Sequence, residues 1–315
     1  MNAAVSVQIV AFNSEPDLGP CLQSLKSQTW RDFRIRILDN ASTDGTRGLL
    51  RSLDADILLA DSNAGFAAAH NRLARTWPAP HILFLNPDTV LEPGFLGNLV
   101  SAIAGQPRAG SATGKLLRMD GVTLDSTGIV MTRNQRHLDR GAGEPDRGQY
   151  DTPGEVFGPS GAAALYRYAC LEDVALGDQF FDEDFFAYRE DADLAWRCRL
   201  MGWTSLYVPS ARARHRRRVT PERRASLPPI LNRHSVKNRF LLRVNNMTGP
   251  LYRRNLWPIT RRDLAVVGYV LAREWSSIPG LVYPILHFPR LLRKRRSIQN
   301  RVRIGAEEIA RWFRS

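Results

Sequence analysis

Four apolar runs within the first 110 or so residues each lead into Asp or Asn, with helical patterns between them. Residues 5–12 read as a buried strand closing in Ala11-Phe12-Asn13, and residues 33–38 alternate with period two before Asp39-Asn40. Residues 57–59 precede Asp61-Ser62-Asn63, and residues 82–85 precede Asn86-Pro87-Asp88. After the start signal Asn13-Ser14-Glu15-Pro16, Leu18, Cys21, Leu22 and Leu25 fall at helical spacing, and helices are expected over 46–53, 66–77 and 93–103. This rhythm predicts an α/β fold, with a mainly parallel sheet and helices on both faces. Ligands on such sheets sit beyond the carboxyl ends of the strands. One polar strand end is ordinarily a turn or a helix cap; four in succession favour use by a ligand.

After residue 110 the pattern is mixed. Gly- and Asp-rich stretches at 120–128 and 141–154 suggest hairpins and mobile loops. A helix is expected over 191–201 and a strand over 204–208, and beyond Pro209 Arg-rich turns give way to helices. The expected division is a domain over 1–245, in two halves (1–110 and 111–245), and a basic helical appendage over 246–315.

The net charge of +13 is concentrated at one end: residues 1–210 hold 19 Lys+Arg against 26 Asp+Glu, and residues 211–315 hold 25 against 5. Such a basic segment suits nucleic acid, an anionic membrane or a phosphorylated substrate. A nucleic-acid-binding protein is the less economical reading, because it leaves the acidic first two-thirds unexplained and no nucleic-acid-binding motif is present. In the stretch 264–286, Arg273-Glu274 and Pro279 interrupt the apolar run before it reaches the roughly 20 residues that span a bilayer. Trp257, Tyr269, Trp275, Tyr283 and Phe288 instead interleave with Arg and Lys, ahead of a basic cluster at 290–296. That pattern suits a helix lying on an anionic membrane surface, the other reading being a solvated basic helix packed on the main domain. Three scattered cysteines argue against a disulfide framework or a zinc site, and the N-terminus has no basic stretch of a signal peptide, so a cytoplasmic location is expected.

Neither G-x-G-x-x-G after the first strand nor G-x-x-x-x-G-K-[ST] occurs, which disfavours dinucleotide-binding Rossmann domains and P-loop enzymes. A diphosphate bound without a Gly-rich loop needs another counter-charge, and Mg²⁺ or Mn²⁺ on one or two carboxylates supplies it. A sugar-1-phosphate nucleotidyltransferase is disfavoured because its Gly-rich, Lys-containing N-terminal loop is missing.

Val10-Ala11-Phe12-Asn13, Leu38-Asp39-Asn40-Ala41-Ser42-Thr43-Asp44-Gly45, Asn63-Ala64-Gly65-Phe66-Ala67, Phe84-Leu85-Asn86-Pro87-Asp88 and Glu190-Asp191-Ala192-Asp193-Leu194 occur in this order. The set resembles inverting glycosyltransferase family 2, and most closely its rhamnosyltransferase-like bacterial members, over about residues 4–245. The resemblance implies a GT-A fold and a nucleotide-sugar donor. It implies that Ala11, Phe12, Asn13, Asp39, Asn40, Asn63, Gly65, Asn86 and Asp88 line the donor site, with Asp39 on the base. Asn86-Pro87-Asp88 matches the metal-binding D-x-D motif with Asn in the first place, which leaves Asp88 as the main carboxylate for the ion. Ser160, Gly161 and Ala162 match a loop beside donor sugar and acceptor. Asp191 matches the catalytic base, Glu190 would orient the acceptor, and Asp193 is expected to cap the helix. His215 stands where some relatives have a metal-ligating histidine. Its neighbouring arginines are expected to disfavour both its protonation and a metal, so that a loop histidine near phosphate is the other reading. Arg214, Arg216 and Arg217 are expected near the departing diphosphate. Lys237 and Arg239, in Lys237-Asn238-Arg239-Phe240, are read as acceptor-phosphate contacts or as a solvated face. The resemblance implies single addition of rhamnose from dTDP-rhamnose to a saccharide or lipid-linked saccharide in cell-envelope polysaccharide synthesis, at the cytoplasmic membrane face. A UDP-hexose or galactofuranose donor is the alternative.

Overall fold

A computed structural model describes residues 3–51, 53–217 and 228–314. Residues 218–227 of the Arg-rich stretch, and Met1 and Asn2 of the segment read for a leader, lie outside the described residues. The first half comprises β1 (Val5–Ala11), α1 (Glu15–Lys26), β2 (Phe33–Asp39), α2 (Thr46–Leu50), β3 (Asp56–Leu59), α3 (Gly65–Thr76), β4 (His81–Leu85), β5 (Thr89–Leu91) and α4 (Phe95–Ala104). Next come β6 (Ala109–Leu117), β7 (Leu124–Ser126), β8 (Ile129–Thr132), β9 (His137–Asp139), β10 (Gly154–Glu155), β11 (Ala163–Arg167), α5 (Tyr168–Val174), α6 (Glu190–Leu200) and β12 (Thr204–His215). The chain closes with α7 (Pro229–Asn246), α8 (Gly249–Arg254), α9 (Leu256–Arg273), α10 (Ile278–Leu286), α11 (Phe288–Gln299), α12 (Ala306–Ala310) and β13 (Phe313–Arg314).

The main sheet runs β10-β12-β6-β11-β4-β1-β2-β3. Strands β4, β1, β2 and β3 are parallel, as the βα rhythm requires. Strand β11 is antiparallel to both β4 and β6, so the second half of the sheet is mixed. Period-two alternation splits the core between the faces: Val5, Val7, Ile9 and Leu83 pack with α1 and α4, while Ile82, Phe84 and Tyr166 pack with α3, α5 and α6.

Strand β12 is longer than expected. It passes through Pro209 to His215 because residues 209–211 bulge out of register between Val208 and Arg212. The bulge needs Gly114 opposite it, where a Cβ would fall 2.0 Å from the Ala211 carbonyl oxygen. This detour pairs His215 with Thr89 of β5 and brings it to the end of the sheet that carries Asn86-Pro87-Asp88.

His70 on α3 is fully buried among Phe66, Phe84 and Phe181, and neither ring nitrogen has a hydrogen-bond partner. Burial pushes its pKa down to about 3, against 6.5 for a free imidazole. The unfolded chain therefore takes up a proton below pH 6.5 that the fold refuses, and each pH unit below that removes about 1.4 kcal/mol of stability. His70→Leu is expected to flatten the fall of Tm between pH 6.5 and 4; equal slopes for variant and wild type would show that His70 is not the cause.

The basic C-terminal segment docks on the acidic part of the chain. Lys294 bonds Asp182 and lies 2.6 Å from Asp184, Arg290 lies 2.6 Å from Asp184, and Arg303 lies 2.6 Å from Asp173. Leu251, Ile259, Leu291, Ile298 and Phe313 join the core built around α5 and α6, and β13 adds to β8. Lys237 and Arg239 do not form a solvated face. Both are buried: Lys237 bonds the Asp184 carbonyl and lies 4.9 Å from the Tyr283 ring, and Arg239 lies 2.9 Å from Asp263. Burial pulls the Lys237 ammonium down to about 8. Among the described residues, no helix is long and apolar enough to cross a membrane.

Candidate active site

The ends of β1, β2 and β3 are knitted together by their own polar residues. Asn13, at φ 48°, accepts the Thr43 N–H at 2.8 Å. Asn40 donates to Asn63 at 2.9 Å and to the Gly65 carbonyl at 3.3 Å, and accepts the Ala64 N–H at 3.0 Å. Asp39 is fully buried and accepts from Arg47 at 2.6 Å. Phe12 is 46% exposed beside this cluster, an unusual position for an aromatic side chain at a strand end. Gly65, at φ +83°, abuts Phe186, whose ring would lie 2.5 Å from a Cβ there. It thereby connects this corner to the loop ahead of α6.

The loop Ser160-Gly161-Ala162 joins the two acidic motifs. The Ala162 carbonyl accepts the Asn86 N–H at 2.9 Å and the Thr89 hydroxyl at 3.3 Å. Its neighbour Gly161 donates its N–H to Asp191 Oδ2 at 3.1 Å. Ser160 is buried, and its carbonyl accepts the Ala163 N–H at 3.3 Å. Motifs about a hundred residues apart in sequence thus flank one three-residue turn.

His215 is not surrounded by cations. Its Nδ1 lies 2.8 Å from Asp125 Oδ2, and its Nε2 lies 3.2 Å from Asp88 Oδ1. Burial opposes its charge, but the bonds to Asp125 and Asp88 prevail and raise its pKa to about 9. The arginines act on Asp125 instead: Arg217 bonds it at 2.7 Å and Arg118 lies 3.1 Å away. Arg217, expected near a leaving diphosphate, is held between Asp125 and Asp139, whereas Arg214 and Arg216 are exposed.

These residues fit a divalent ion. Asp88 Oδ1 is buried and makes no aligned hydrogen bond; its charged neighbour is His215 Nε2 at 3.2 Å, and a divalent ion would take the place of the proton shared there. Asp125 fixes the imidazole through Nδ1 and leaves Nε2 beside that oxygen, the arrangement by which carboxylates orient metal-binding histidines. Among the described residues no three His, Cys, Asp or Glu form a metal cage. Two protein ligands would leave the remaining positions to diphosphate and water, as is usual for Mg²⁺.

Helix α6 starts from a loop in which Phe186, Tyr188 and Arg189 all have positive φ, at 64°, 69° and 71°. Left-handed backbone at bulky residues is costly and persists only where neighbours enforce it. Asn238 does so, donating one amide to the carbonyls of Phe185, Ala187 and Tyr188 at 2.7–2.9 Å. His234 stacks flat on Phe186, with ring centroids 4.7 Å apart. At the helix start, half-buried Asp191 accepts the N–H groups of Gly161 and Ala192. Burial raises its pKa, and the Asp139 charge adds to the effect. Glu190 is buried with Oε2 unbonded; burial and then Asp191 hold its pKa well above the usual carboxylate range.

Asp193 is not the cap. The cap position is Arg189, whose side chain reaches His137 at 3.1 Å rather than capping the helix, and Asp193 is fully buried against Arg197 at 2.9 Å and Asn246 at 2.7 Å. Breaking such a buried pair costs about 3–5 kcal/mol, so Asp193 serves the fold.

Comparison with known proteins adds four findings. The profile of Glycosyl transferase family 2 matches residues 6–174. N-acetylglucosaminyl-diphospho-decaprenol L-rhamnosyltransferase of Mycobacterium tuberculosis is 32% identical over 241 residues, 68% of this chain and 76% of that protein. GalNAc-T7 solved with UDP, GalNAc and Mn²⁺ superimposes with TM-score 0.61 at 13% identity, covering 80% of this chain and 50% of that one. S. aureus TarS 1-349 in complex with UDP-GlcNAc superimposes with TM-score 0.59 at 17% identity, covering 95% of this chain and 91% of that one. This chain spans half the length of the GalNAc-T7 chain, and at such identities both superpositions speak to the fold alone.

Proposed function

Since the chain belongs to glycosyl transferase family 2, we propose that this glycosyltransferase is an inverting enzyme that moves one sugar from a nucleotide-sugar donor to a hydroxyl of a lipid-linked saccharide. The observation that carries the reading is the turn at 160–162, hydrogen-bonded to Asn86 on one side and Asp191 on the other. Around it lie a candidate diphosphate–metal site and a carboxylate suited to proton removal.

Asp191 takes the proton of the acceptor hydroxyl as that oxygen bonds to the anomeric carbon. The bond from that carbon to the donor diphosphate breaks in the same step, through an oxocarbenium-like transition state. A raised pKa makes Asp191 a stronger base than a free carboxylate, and the Gly161 N–H aims it. Glu190 offers its unbonded oxygen to a neighbouring acceptor hydroxyl. Asp88 and His215 would hold a divalent ion, which neutralises the departing diphosphate when bound. Ala11, Phe12, Asn13, Asp39, Asn40, Asn63 and Gly65 form the nucleoside side, with the exposed Phe12 ring available for stacking.

The name of the mycobacterial relative supports a rhamnosyl donor and a polyprenyl-diphosphate acceptor. The donor is tested by thermal shift with a panel of nucleotide sugars, with and without Mn²⁺. The largest stabilisation should come from dTDP-rhamnose with the ion; a larger one from a UDP-hexose would replace rhamnose.

The acceptor's lipid points to a membrane surface on the cytoplasmic face. Trp257, Leu264 and Leu271 on α9, Trp275 after it, Ile285 and Leu286 on α10 and Phe288 on α11 are each more than half exposed. Exposed large apolar residues interleaved with basic ones along successive helices suit a membrane interface. Truncation is a poor test, because it removes core residues such as Leu291 and Phe313. Burying one large apolar side chain is worth about 1.5–3 kcal/mol. Leu286→Ala with Phe288→Ala should therefore weaken binding to anionic liposomes by about tenfold or more, leaving Tm unchanged. Undiminished binding would exclude this surface.

A further inference from the structure

We propose that Arg217 is a positioning residue for the reaction, anchored on buried Asp125 and acting on Asp191 through Asp139. Arg217 Nε lies 2.7 Å from Asp125 Oδ1, and Nη2 lies 2.6 Å from Asp139 Oδ2 and 3.3 Å from Asp125 Oδ2. Asp125 is fully buried and is bonded by His215 on its other side. Asp139 closes β9, in the hairpin that β13 buttresses through β8. One guanidinium therefore connects the histidine of the candidate metal site to β9, whose His137 lies 3.1 Å from Arg189 at the start of α6. The planar fork presents separate N–H groups to the two carboxylates in a fixed geometry, whereas an ammonium is a single point of charge.

The consequence falls on Asp191. The charged or titratable groups around it include Glu190 beside it, Arg189 at the helix start, Asp139 on β9, Tyr166 on β11 and Arg217 after β12. Of the neighbouring charges, Asp139 acts most strongly to keep a proton on Asp191, and Arg217 opposes it. Holding Asp139 with Arg217 tempers that anion and so limits how far Asp191 is pushed toward its protonated form. This inference rests on Asp191 being the base and deepens that assignment.

The full chain, labelled with [4-¹³C]aspartate, is titrated by NMR, with Asp191 assigned from the spectrum of Asp191→Asn. The acid limb of kcat is measured in parallel. Arg217→Gln leaves Asp139 uncompensated, so the Asp191 midpoint and the acid limb should move to higher pH. Asp139→Asn removes the anion, and both should move to lower pH. Arg217→Lys should fall between wild type and Arg217→Gln. Opposite displacements by two substitutions are not what a loss of packing produces. If Arg217→Gln does not fold, Asp139→Asn decides alone: a lowered midpoint supports the bridge, and an unchanged or raised one overturns it. Midpoints that move in opposite directions while the acid limb stays fixed would uphold the bridge and reject Asp191 as the base. Midpoints that stay fixed in both variants overturn the bridge, whatever happens to activity.

Discussion

Asp191→Asn is expected to lower turnover by about 10²–10⁴-fold, the usual contribution of a general base, while donor affinity stays close to wild type. The amide keeps the shape of the carboxylate and can still accept the Gly161 N–H, which lies 3.1 Å from Oδ2 in the native chain. It cannot take up the proton of the acceptor hydroxyl. Donor contacts are expected at the ends of β1 to β4, and none of these passes through Asp191. Calorimetric donor titration beside single-turnover kinetics separates the two effects. Unchanged turnover would move the base elsewhere, and lost donor affinity would place Asp191 in the donor site.

Asp88→Ala is expected to abolish the dependence of donor binding on a divalent ion. Asp88 Oδ1 is buried without an aligned hydrogen bond and lies 3.2 Å from His215 Nε2, at the end of the sheet where the donor diphosphate is expected. Because Asn86 brings no charge, no second carboxylate in the motif takes its place. Donor affinity measured with and without Mn²⁺ should differ in wild type and coincide in the variant. Equal affinities in wild type would remove the ion from the account. Asp125→Asn is a milder perturbation. It weakens the hold on His215 at Nδ1, and such outer partners are commonly worth about 10–100-fold in metal affinity.

The strand ends were legible because period-two runs followed by Asp or Asn report both the strand and its exposed end. Asp191 and Gly161 were legible through family motifs, although nothing in the sequence reveals the hydrogen bond between them. Asp125 was missed for a physical reason. It lies in a short strand within a Gly- and Asp-rich stretch, and its partner His215 is 90 residues away. The one local sign was that Asp125 sits between Leu124 and Ser126 in a run where every residue is buried, a pattern visible only once the strand is placed. Strand β12 was cut short at Pro209 because a proline normally ends a central strand, and a bulge opposite Gly114 is a tertiary exception. Asp193 was read as a cap because the first turn of a helix favours acids; its partners Asn245 and Asn246 lie more than fifty residues downstream. The docking of the C-terminal helices had a usable signal in the opposite charges of the two parts of the chain.

The most direct measurement of the central claim is the anomeric configuration of the product. A single displacement with Asp191 as base requires attack from the face opposite the leaving diphosphate. Proton NMR of the glycoside formed from donor, Mn²⁺ and acceptor should show a configuration opposite to that of the donor; retention of the donor's configuration would contradict the account.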